Sequence, residues 1–215
     1  MSDSLARRIA TDLLSIQAVF LRPDQPFTWA SGIQSPIYCD NRLTLSAPEV
    51  RRHVEEGFAE VIRARYPDCE GLMGTSTAGI GHAAITAFLM DLPMGYVRGS
   101  AKTHGRTNRI EGKYAAGQKV VVVEDLISTA GSAIETAEVL REAGLNVLGI
   151  VSIVTYGMQK GIDRLAAARL TNYSLCDFDT LAAVAAEQGY IPQSAVAALK
   201  RFRDAPNDGG WKNML

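Results

Sequence analysis

The chain has 215 residues, of which 47% are hydrophobic, a proportion that predicts a folded domain rather than a disordered chain. Its 22 basic and 23 acidic residues leave a net charge of −1, so no overall charge draws it to nucleic acid or to a membrane. The three cysteines, Cys39, Cys69 and Cys176, are widely spaced and form no CxxC pair. This argues against a disulfide framework or a zinc site and favours a reducing, cytoplasmic location.

The first third of the chain predicts two helices separated by an irregular segment. Residues 4–20 repeat apolar residues at helical spacing. Residues 27–48 mix aromatic residues with glycine and proline, which predicts short strands and turns. Pro48 then opens a helix. His53 lies beside the apolar stripe of that helix, and we expect it to be a surface or packed histidine rather than a ligand.

A strand is predicted over residues 70–74, and the loop after it begins another helix. That loop contains the string Gly79-Ile80-Gly81-His82-Ala83-Ala84, which matches the G-x-G-x-x-A pattern of a dinucleotide-binding protein. A dinucleotide-dependent enzyme is therefore one alternative. We favour a position for both glycines inside the helix start, and the next strand, near Met94–Val97, ends in Arg98 rather than in an acid.

Residues 98–113 hold five lysines or arginines, one glutamate and one histidine, with no core pattern. Most such charge runs are solvated loops, and that is one interpretation. The other is a mobile lid, hinged at Gly105 and Gly112, that brings cations to a polyanionic ligand.

The rest of the sequence is organised around Lys119 to Ser132. Val120 to Val123 are four consecutive β-branched residues, which predicts a parallel strand buried on both faces. Two carboxylates, Glu124 and Asp125, follow the valines, and small residues then lead into a helix that Gly144 ends. The chain therefore passes from a strand through an acidic pair and a hydroxyl-rich loop to a helix start.

This order of features suits a phosphorylated sugar. A helix start presents unpaired N–H groups and the positive end of the helix dipole, so a tight loop there can hold a phosphate. Carboxylates accept hydrogen bonds only, which suits ribose hydroxyls or an indirect hold on Mg²⁺. The pattern predicts a ribose-5-phosphate site. The alternative is a buried strand followed by two solvated acids and an N-cap serine.

The remaining elements are predicted from their periodicity and their caps. They are a buried strand at Asn146–Thr155, a helix at 158–169, an edge strand at 170–175, a helix capped by Asp177 and ending near Gln188, and a last helix from Pro192. The Gly- and Asn-rich tail from Asp204 is expected to fray.

The stretch from Lys119 to Ser132 resembles the motif of type I phosphoribosyltransferases that binds PRPP (5-phosphoribosyl 1-pyrophosphate). The resemblance implies that the acidic pair holds the ribose hydroxyls and that the following loop holds the 5-phosphate. The residues that it assigns to PRPP in this stretch are Glu124, Asp125, Leu126, Ile127, Ser128, Thr129, Ala130, Gly131 and Ser132. Ala130 stands where the family often has glycine, and we expect a negative φ there.

A second resemblance, to orotate phosphoribosyltransferases, lies in residues 27–48. The matching residues are Phe27, Ser31, Gly32, Ser35, Pro36, Tyr38, Asp40 and Arg42. It implies an α/β fold of the type I phosphoribosyltransferase kind, with a central, mostly parallel sheet flanked by helices. Within one domain it implies an N-terminal hood at about 1–45, a mobile catalytic loop at about 99–113 and a C-terminal helical extension at about 177–205.

The resemblance implies that orotate and PRPP give orotidine 5′-monophosphate and pyrophosphate, a step of pyrimidine synthesis. The implied cofactor is Mg²⁺, held mainly through PRPP rather than by protein ligands. The acidic pair, Lys102 and His104 are the implied catalytic residues. Arg98, Lys102 and His104 match positions that contact PRPP across the interface of a homodimer with shared sites.

We expect backbone N–H groups at and near Ser128 to contact orotate. The lysine and the arginine that some family members use are replaced here by Ala30 and Tyr156. The remaining alternative is a PRPP-sensing regulator of the same fold that acts on nucleic acid. Such a protein needs a basic face outside the catalytic loop, and the sequence indicates none.

Overall fold

The computed structural model describes residues 3–28, 32–99 and 109–215, and its centre is a six-stranded sheet. The strands are β1 Val19–Leu21, β2 Phe27–Thr28, β3 Gln34–Ser35, β4 Ile37–Cys39, β5 Gly71–Thr75, β6 Met94–Val97, β7 Ile110–Glu111, β8 Lys119–Ile127, β9 Asn146–Thr155 and β10 Asn172–Asp177. The α-helices are α1 Asp3–Ser15, α2 Pro48–Arg65, α3 Ala78–Met90, α4 Gly131–Glu142, α5 Gln159–Ala167, α6 Phe178–Glu187 and α7 Ala195–Asp204. Two 3₁₀ helices span Asn41–Ser46 and Gly209–Met214.

The order of strands in the sheet places a reversal at its centre. The order is β10-β9-β8-β5-β6-β7, and every pair is parallel except β6 with β7. β5 and β8 are neighbours at the centre of the sheet. β6 lies on the outer side of β5, and β9 and then β10 lie on the outer side of β8. Ligands of such sheets bind outside the C-terminal ends of the strands where the order reverses. Here those ends belong to β5 and β8.

The valine run of β8 faces two cores. Val121 and Val123 pack with residues from α1, α2, α3, α6 and α7, whereas Val120 and Val122 pack under α4 and α5. All four side chains have no exposed surface. The prediction of a parallel strand buried on both faces is confirmed, because β8 is paired in parallel with β5 and with β9.

The described part of residues 27–48 forms short strands and turns, as predicted, and also a 3₁₀ helix at Asn41–Ser46 that was not predicted. β2 pairs with β3, and β4 pairs with β1, which follows α1. This second pairing brings the segment back against the N-terminal helix. Ala30 and Ser31 lie outside the described residues.

Several later predictions are confirmed. Pro48 is the first residue of α2, Asn146–Thr155 is a buried strand, and β10 is an edge strand. The Asp177 carboxylate caps α6 by accepting a hydrogen bond from the Thr180 N–H at 2.8 Å. All three cysteines are free.

Two predicted helix boundaries are wrong. α1 ends at Ser15 rather than near residue 20, because Gln17 takes a φ of 57° and the chain turns into β1, which contains Phe20. The last helix begins at Ala195 rather than at Pro192. The N–H of Ala195 donates to the Pro192 carbonyl at 3.0 Å, so proline opens a turn before the helix.

The expectation of a frayed tail is also wrong. Residues Gly209–Met214 form a 3₁₀ helix, and Trp211 is buried, with its ring edge-on to Phe202 at 5.9 Å. One aromatic anchor therefore outweighs the glycine and asparagine content of the tail. Across the three described ranges, none of the helices combines the length and apolar character needed to cross a bilayer.

Candidate functional site

The acidic pair lies where the sheet order reverses. Glu124 is 4% exposed, and its carboxylate accepts three hydrogen bonds. The Thr75 hydroxyl, at the end of β5, donates to Oε1 at 2.7 Å, and the Ser132 hydroxyl, in α4, donates to Oε2 at 2.7 Å. The N–H of Asp125 donates to Oε1 at 2.9 Å. Glu124 therefore joins β5 and α4 beneath the site.

Asp125 is the more accessible acid of the pair. Burial first, and then hydrogen bonding and repulsion with Glu124, raise the pKa of Asp125 to about 7, while the nearby His82 lowers it. Two carboxyl groups so close together cannot both ionise easily. Asp125 can therefore change its charge near neutral pH, and a cationic or hydroxyl-bearing ligand would favour its ionised form.

The hydroxyl-rich loop runs into α4, as the sequence predicts. Ser128 and Thr129 are half-buried, and the Thr129 carbonyl accepts from Arg164 Nη1 at 2.9 Å. Gly131 is the first residue of α4, where the N–H groups of the first turn have no acceptor within the helix. A Cβ at Gly131 would meet nothing closer than Arg164 Nη1 at 3.5 Å. The loop thus leaves space for a ligand in front of the helix.

The expected negative φ of Ala130 is wrong. Ala130 is the N-cap of α4 and has a φ of 61°, in the left-handed region. This conformation costs an alanine roughly 1 kcal/mol relative to glycine. Its methyl group is buried in the core under α4, so apolar packing offsets part of that cost. The loop keeps the shape that a glycine would give it.

The glycines of the GIGHAA string lie within α3, as predicted, and not in a turn before it. A Cβ at Gly79 would lie 2.3 Å from the Val123 carbonyl and 2.6 Å from Thr75 Oγ1. Gly79 therefore allows α3 to pack directly on the ends of β5 and β8. This packing role removes the basis for the dinucleotide alternative.

Arg98 follows β6 at the start of the basic segment. The N–H of Arg98 donates to the Arg109 carbonyl at 2.8 Å, and the Arg109 guanidinium donates back to the Arg98 carbonyl at 3.0 and 3.1 Å. Arg109 Nη2 also lies 2.7 Å from Glu135 Oε1 of α4. Lys102 and His104, between these anchors, lie outside the described residues, so their roles remain predictions.

The side chain of Arg98 carries a spare donor. Its Nη1 lies 3.7 Å from Glu111 Oε1 and is buried without a hydrogen-bond partner among the residues that the structure describes. Buried polar atoms are rarely left unpaired, and one that is unpaired calls for an explanation such as a missing ligand. A cationic donor that lacks a hydrogen-bond partner is suited to binding an anion.

A cavity of about 200 Å³ opens beside the loop. Its lining residues are Tyr38, Cys39, Leu126, Ser128 and Tyr156. Burial raises the pKa of the Cys39 thiol and that of the Tyr156 phenol, so both groups keep their protons at neutral pH. The structure therefore brings Ser128, the expected orotate contact, together with the hood residue Tyr38 and with Tyr156 around one small cavity.

Sequence reasoning missed two residues that hold the acidic pair. One is Thr75, whose hydroxyl donates to Glu124. The other is Asn41, which is fully buried and whose Nδ2 donates to the backbone carbonyl of Asp125 at 2.8 Å. Asn41 is separated from Asp125 by 84 positions, so no local pattern joins them. The available signal was an asparagine between Asp40 and Arg42 of the hood motif.

Comparisons with known proteins agree with this geometry. A family model described as a phosphoribosyl transferase domain matches residues 45–178. A protein of Bacillus cytotoxicus named orotate phosphoribosyltransferase is 56% identical over 207 residues, covering 96% of this chain and 99% of its own.

Solved structures show the same similarity. An orotate phosphoribosyltransferase from Aeropyrum pernix has a TM-score of 0.73 and 30% identity, covering 85% of this chain and 99% of its own. A UMP synthase from Leishmania donovani has a TM-score of 0.78 and 27% identity, covering 92% of this chain and 42% of its own. None of these three relatives is named as a regulatory protein. The chain therefore belongs to the phosphoribosyltransferase family and, within it, to the orotate phosphoribosyltransferases.

Proposed function

We propose that this chain transfers the 5-phosphoribosyl group of PRPP to orotate, giving orotidine 5′-monophosphate and pyrophosphate in pyrimidine synthesis. The observation that carries the proposal is the position of Asp125 and the loop to α4. They lie at the point where the sheet order reverses, next to a cavity lined by hood residues. A ribose phosphate placed there has its ring at Asp125 and its base near Ser128.

The chemistry needs a stabilised sugar cation and a stabilised anionic leaving group. The bond from C1 of the ribose to pyrophosphate breaks, and the electron pair leaves with pyrophosphate. A ring nitrogen of orotate bonds to C1 and gives up its proton to solvent or to the departing pyrophosphate. Ionised Asp125 holds the ribose hydroxyls and favours positive charge on the sugar. Arg98, Lys102 and His104 bind the departing pyrophosphate. Nη1 of Arg98, which has no hydrogen-bond partner among the described residues, is a donor for it.

Mg²⁺ is part of the proposal. The oxygens of Asp125 and of the Ser128 and Thr129 hydroxyls are the kind of ligand that Mg²⁺ prefers, directly or through water. No cluster of three or more histidine, cysteine or acidic side chains suited to a metal occurs within the described ranges. We therefore propose that the ion binds mainly through the substrate, where it neutralises charge on pyrophosphate.

A homodimer with shared sites is also proposed. Helix α3 contains no aspartate, glutamate, lysine or arginine and leaves Phe88 84% exposed and Leu89 43% exposed. Leu43, in the 3₁₀ helix that packs against α3, is 41% exposed. An apolar face of this kind suits a second copy of the chain. The cytoplasmic location remains a proposal, and the three free thiols support it.

The test is formation of orotidine 5′-monophosphate from orotate and PRPP by the purified protein with Mg²⁺. Uracil, hypoxanthine and adenine, each supplied with PRPP, are the matched alternatives. We expect turnover with orotate to exceed turnover with each other base by at least about 10²-fold. Equal or greater turnover with another base would contradict the assignment of orotate and leave phosphoribosyl transfer in place. Leaving out Mg²⁺, with a chelator present, tests the metal separately.

A further inference from the structure

A buried polar network lies behind Asp125, and the proposed reaction makes no use of it. His82, in α3, is 0% exposed, and its Nδ1 lies 2.7 Å from Oε1 of Glu55, in α2, which is 1% exposed. Oε2 of Glu55 accepts from the Thr86 hydroxyl at 2.7 Å. The ring of Phe58 stands edge-on to the imidazole at 6.3 Å. A histidine and a carboxylate are thus paired away from water.

The network continues from His82 to the acidic pair. His82 Nε2 lies 3.4 Å from the Thr44 hydroxyl, which donates to the Asn41 carbonyl at 2.6 Å. Both Thr44 and Asn41 are fully buried. Asn41 Nδ2 then donates to the backbone carbonyl of Asp125 at 2.8 Å. One continuous path therefore connects α2, α3 and the 3₁₀ helix at the end of the hood to the residue that holds the ribose.

The contacts of His82 hold its ring from two sides. The Thr44 hydroxyl donates to the Asn41 carbonyl, so the Thr44 oxygen faces Nε2 as an acceptor. Nδ1 faces the Glu55 carboxylate, whose other oxygen accepts from Thr86. Both ring nitrogens therefore face oxygen atoms, one set from α2 and one from the 3₁₀ helix, and these fix the orientation of the ring.

We propose that His82 is a positioning residue for Asp125, a role that rests on the proposed function because it assumes that Asp125 holds the ribose. The imidazole ring, held by Glu55, fixes Thr44 and Asn41, and these fix the backbone of Asp125.

The first experiment breaks the path without leaving a buried charge unpaired. Thr44→Val removes the hydroxyl and keeps the shape, and Thr44→Ser is the matched control that keeps the hydroxyl. We expect Thr44→Val to lower kcat about tenfold with the KM for PRPP within about twofold, and Thr44→Ser to stay within about threefold of wild type. A folded Thr44→Val protein with wild-type kcat would overturn the proposal.

The second experiment follows the hydrogen-bonded path directly, and its readout is not activity. The NMR signal of the Asn41 side-chain amide reports the hydrogen bond from Nδ2 to the Asp125 carbonyl. We expect that signal to shift in His82→Gln and in Thr44→Val, because each variant removes one link of the path, and to stay near its wild-type position in Thr44→Ser. An unchanged Asn41 signal in His82→Gln and in Thr44→Val would overturn the proposal.

The two arms separate this proposal from the proposed function. If the wild-type protein forms no orotidine 5′-monophosphate, the proposed function fails, and the NMR arm still decides whether the path from His82 reaches Asp125. If His82→Gln does not fold, Thr44→Val decides by its kcat and by the Asn41 signal.

Discussion

Two effects oppose each other at the carboxyl group of Asp125. The proposed reaction needs it ionised, whereas burial and Glu124 raise its pKa to about 7. The unfolded chain has an aspartate pKa near 3.8. Between these two values the folded state binds more protons than the unfolded state, so this residue lowers stability as pH rises from about 4 to 7. The charge used in the reaction therefore destabilises the free enzyme.

Asp125→Asn should remove that loss of stability. The neutral amide has a similar shape and no charge, so the variant should melt within about a degree of wild type at pH 4.5 and several degrees above it at pH 8. Melting temperature against pH, by circular dichroism, is the measurement. Asp24→Asn, at an exposed position, is the matched control. Parallel curves for Asp125→Asn and wild type would contradict the raised pKa.

The same variant should be a poor catalyst. Because the negative charge acts on the sugar cation of the transition state, Asp125→Asn should lower kcat roughly 10²-fold or more and weaken PRPP binding much less. Steady-state kinetics at pH 8 and calorimetric titration with PRPP provide the two quantities. Near-normal kcat would rule out the assigned role.

Gly131 tests the phosphate loop. The structure has room for a methyl group there, at 3.5 Å from Arg164 Nη1, but a valine would extend into the space in front of α4. Gly131→Val should raise the KM for PRPP by roughly tenfold or more, and Gly131→Ala should have a smaller effect. If Gly131→Val keeps its fold and its affinity for PRPP is unchanged by calorimetry, the loop before α4 does not bind the phosphate.

At the scale of elements, regular patterns were predictable and long-range contacts were not. The valine run of β8, the helical position of Gly79 and the cap at Asp177 all follow from local spacing, and all are confirmed. The network of His82 with Glu55 could not be predicted in this way, because its members are 27 positions apart on different helices. His82 appeared in the sequence only as part of a glycine motif.

The end of α1 and the C-terminal tail show where composition misleads. Apolar spacing continued from α1 into β1 by coincidence, and only the left-handed Gln17 separates the two elements. In the tail, polar and glycine content concealed Trp211, which packs on Phe202. Both errors arise because one residue can decide where an element ends or whether it packs.

Trp211→Ala should therefore destabilise the whole domain. Truncation of a buried aromatic side chain costs about 3–5 kcal/mol, because it loses apolar contacts and leaves a cavity. Denaturant unfolding is the measurement, and Met214→Ala, at a residue that is 43% exposed in the same 3₁₀ helix, should change stability by less than about 0.5 kcal/mol. Equal stability of Trp211→Ala and wild type would restore the interpretation of a frayed tail.

At the scale of the whole molecule, each site of the proposed dimer contains residues from both chains. The apolar face of α3 suits a second copy, and the resemblance assigns Lys102 to the neighbouring subunit's site. A closed two-fold dimer makes its two sites equivalent. In the proposed dimer, each site combines the acidic pair of one chain with the basic segment of the other.

Mixing Lys102→Ala chains with Asp125→Asn chains should restore activity. In a heterodimer one site carries both defects and the other carries neither, so each heterodimer should show up to about half of wild-type activity. Activity after denaturation and joint refolding is the measurement, with each variant refolded alone as the control. If subunit exchange is confirmed and no activity returns, each basic segment serves its own chain, and phosphoribosyl transfer still stands.

The hydrogen bonds that Glu124 accepts limit how much a sugar hydroxyl can add to ligand affinity. The donors are the Thr75 hydroxyl, the Ser132 hydroxyl and the Asp125 N–H. Two of these three donors are hydroxyl groups, the same chemical group that a ribose diol presents. If a sugar hydroxyl reaches this carboxylate, it replaces an internal hydroxyl, and the exchange of one such hydrogen bond for another is nearly neutral in enthalpy. The diol then fixes the orientation of the sugar, while the phosphate and pyrophosphate groups supply most of the binding free energy.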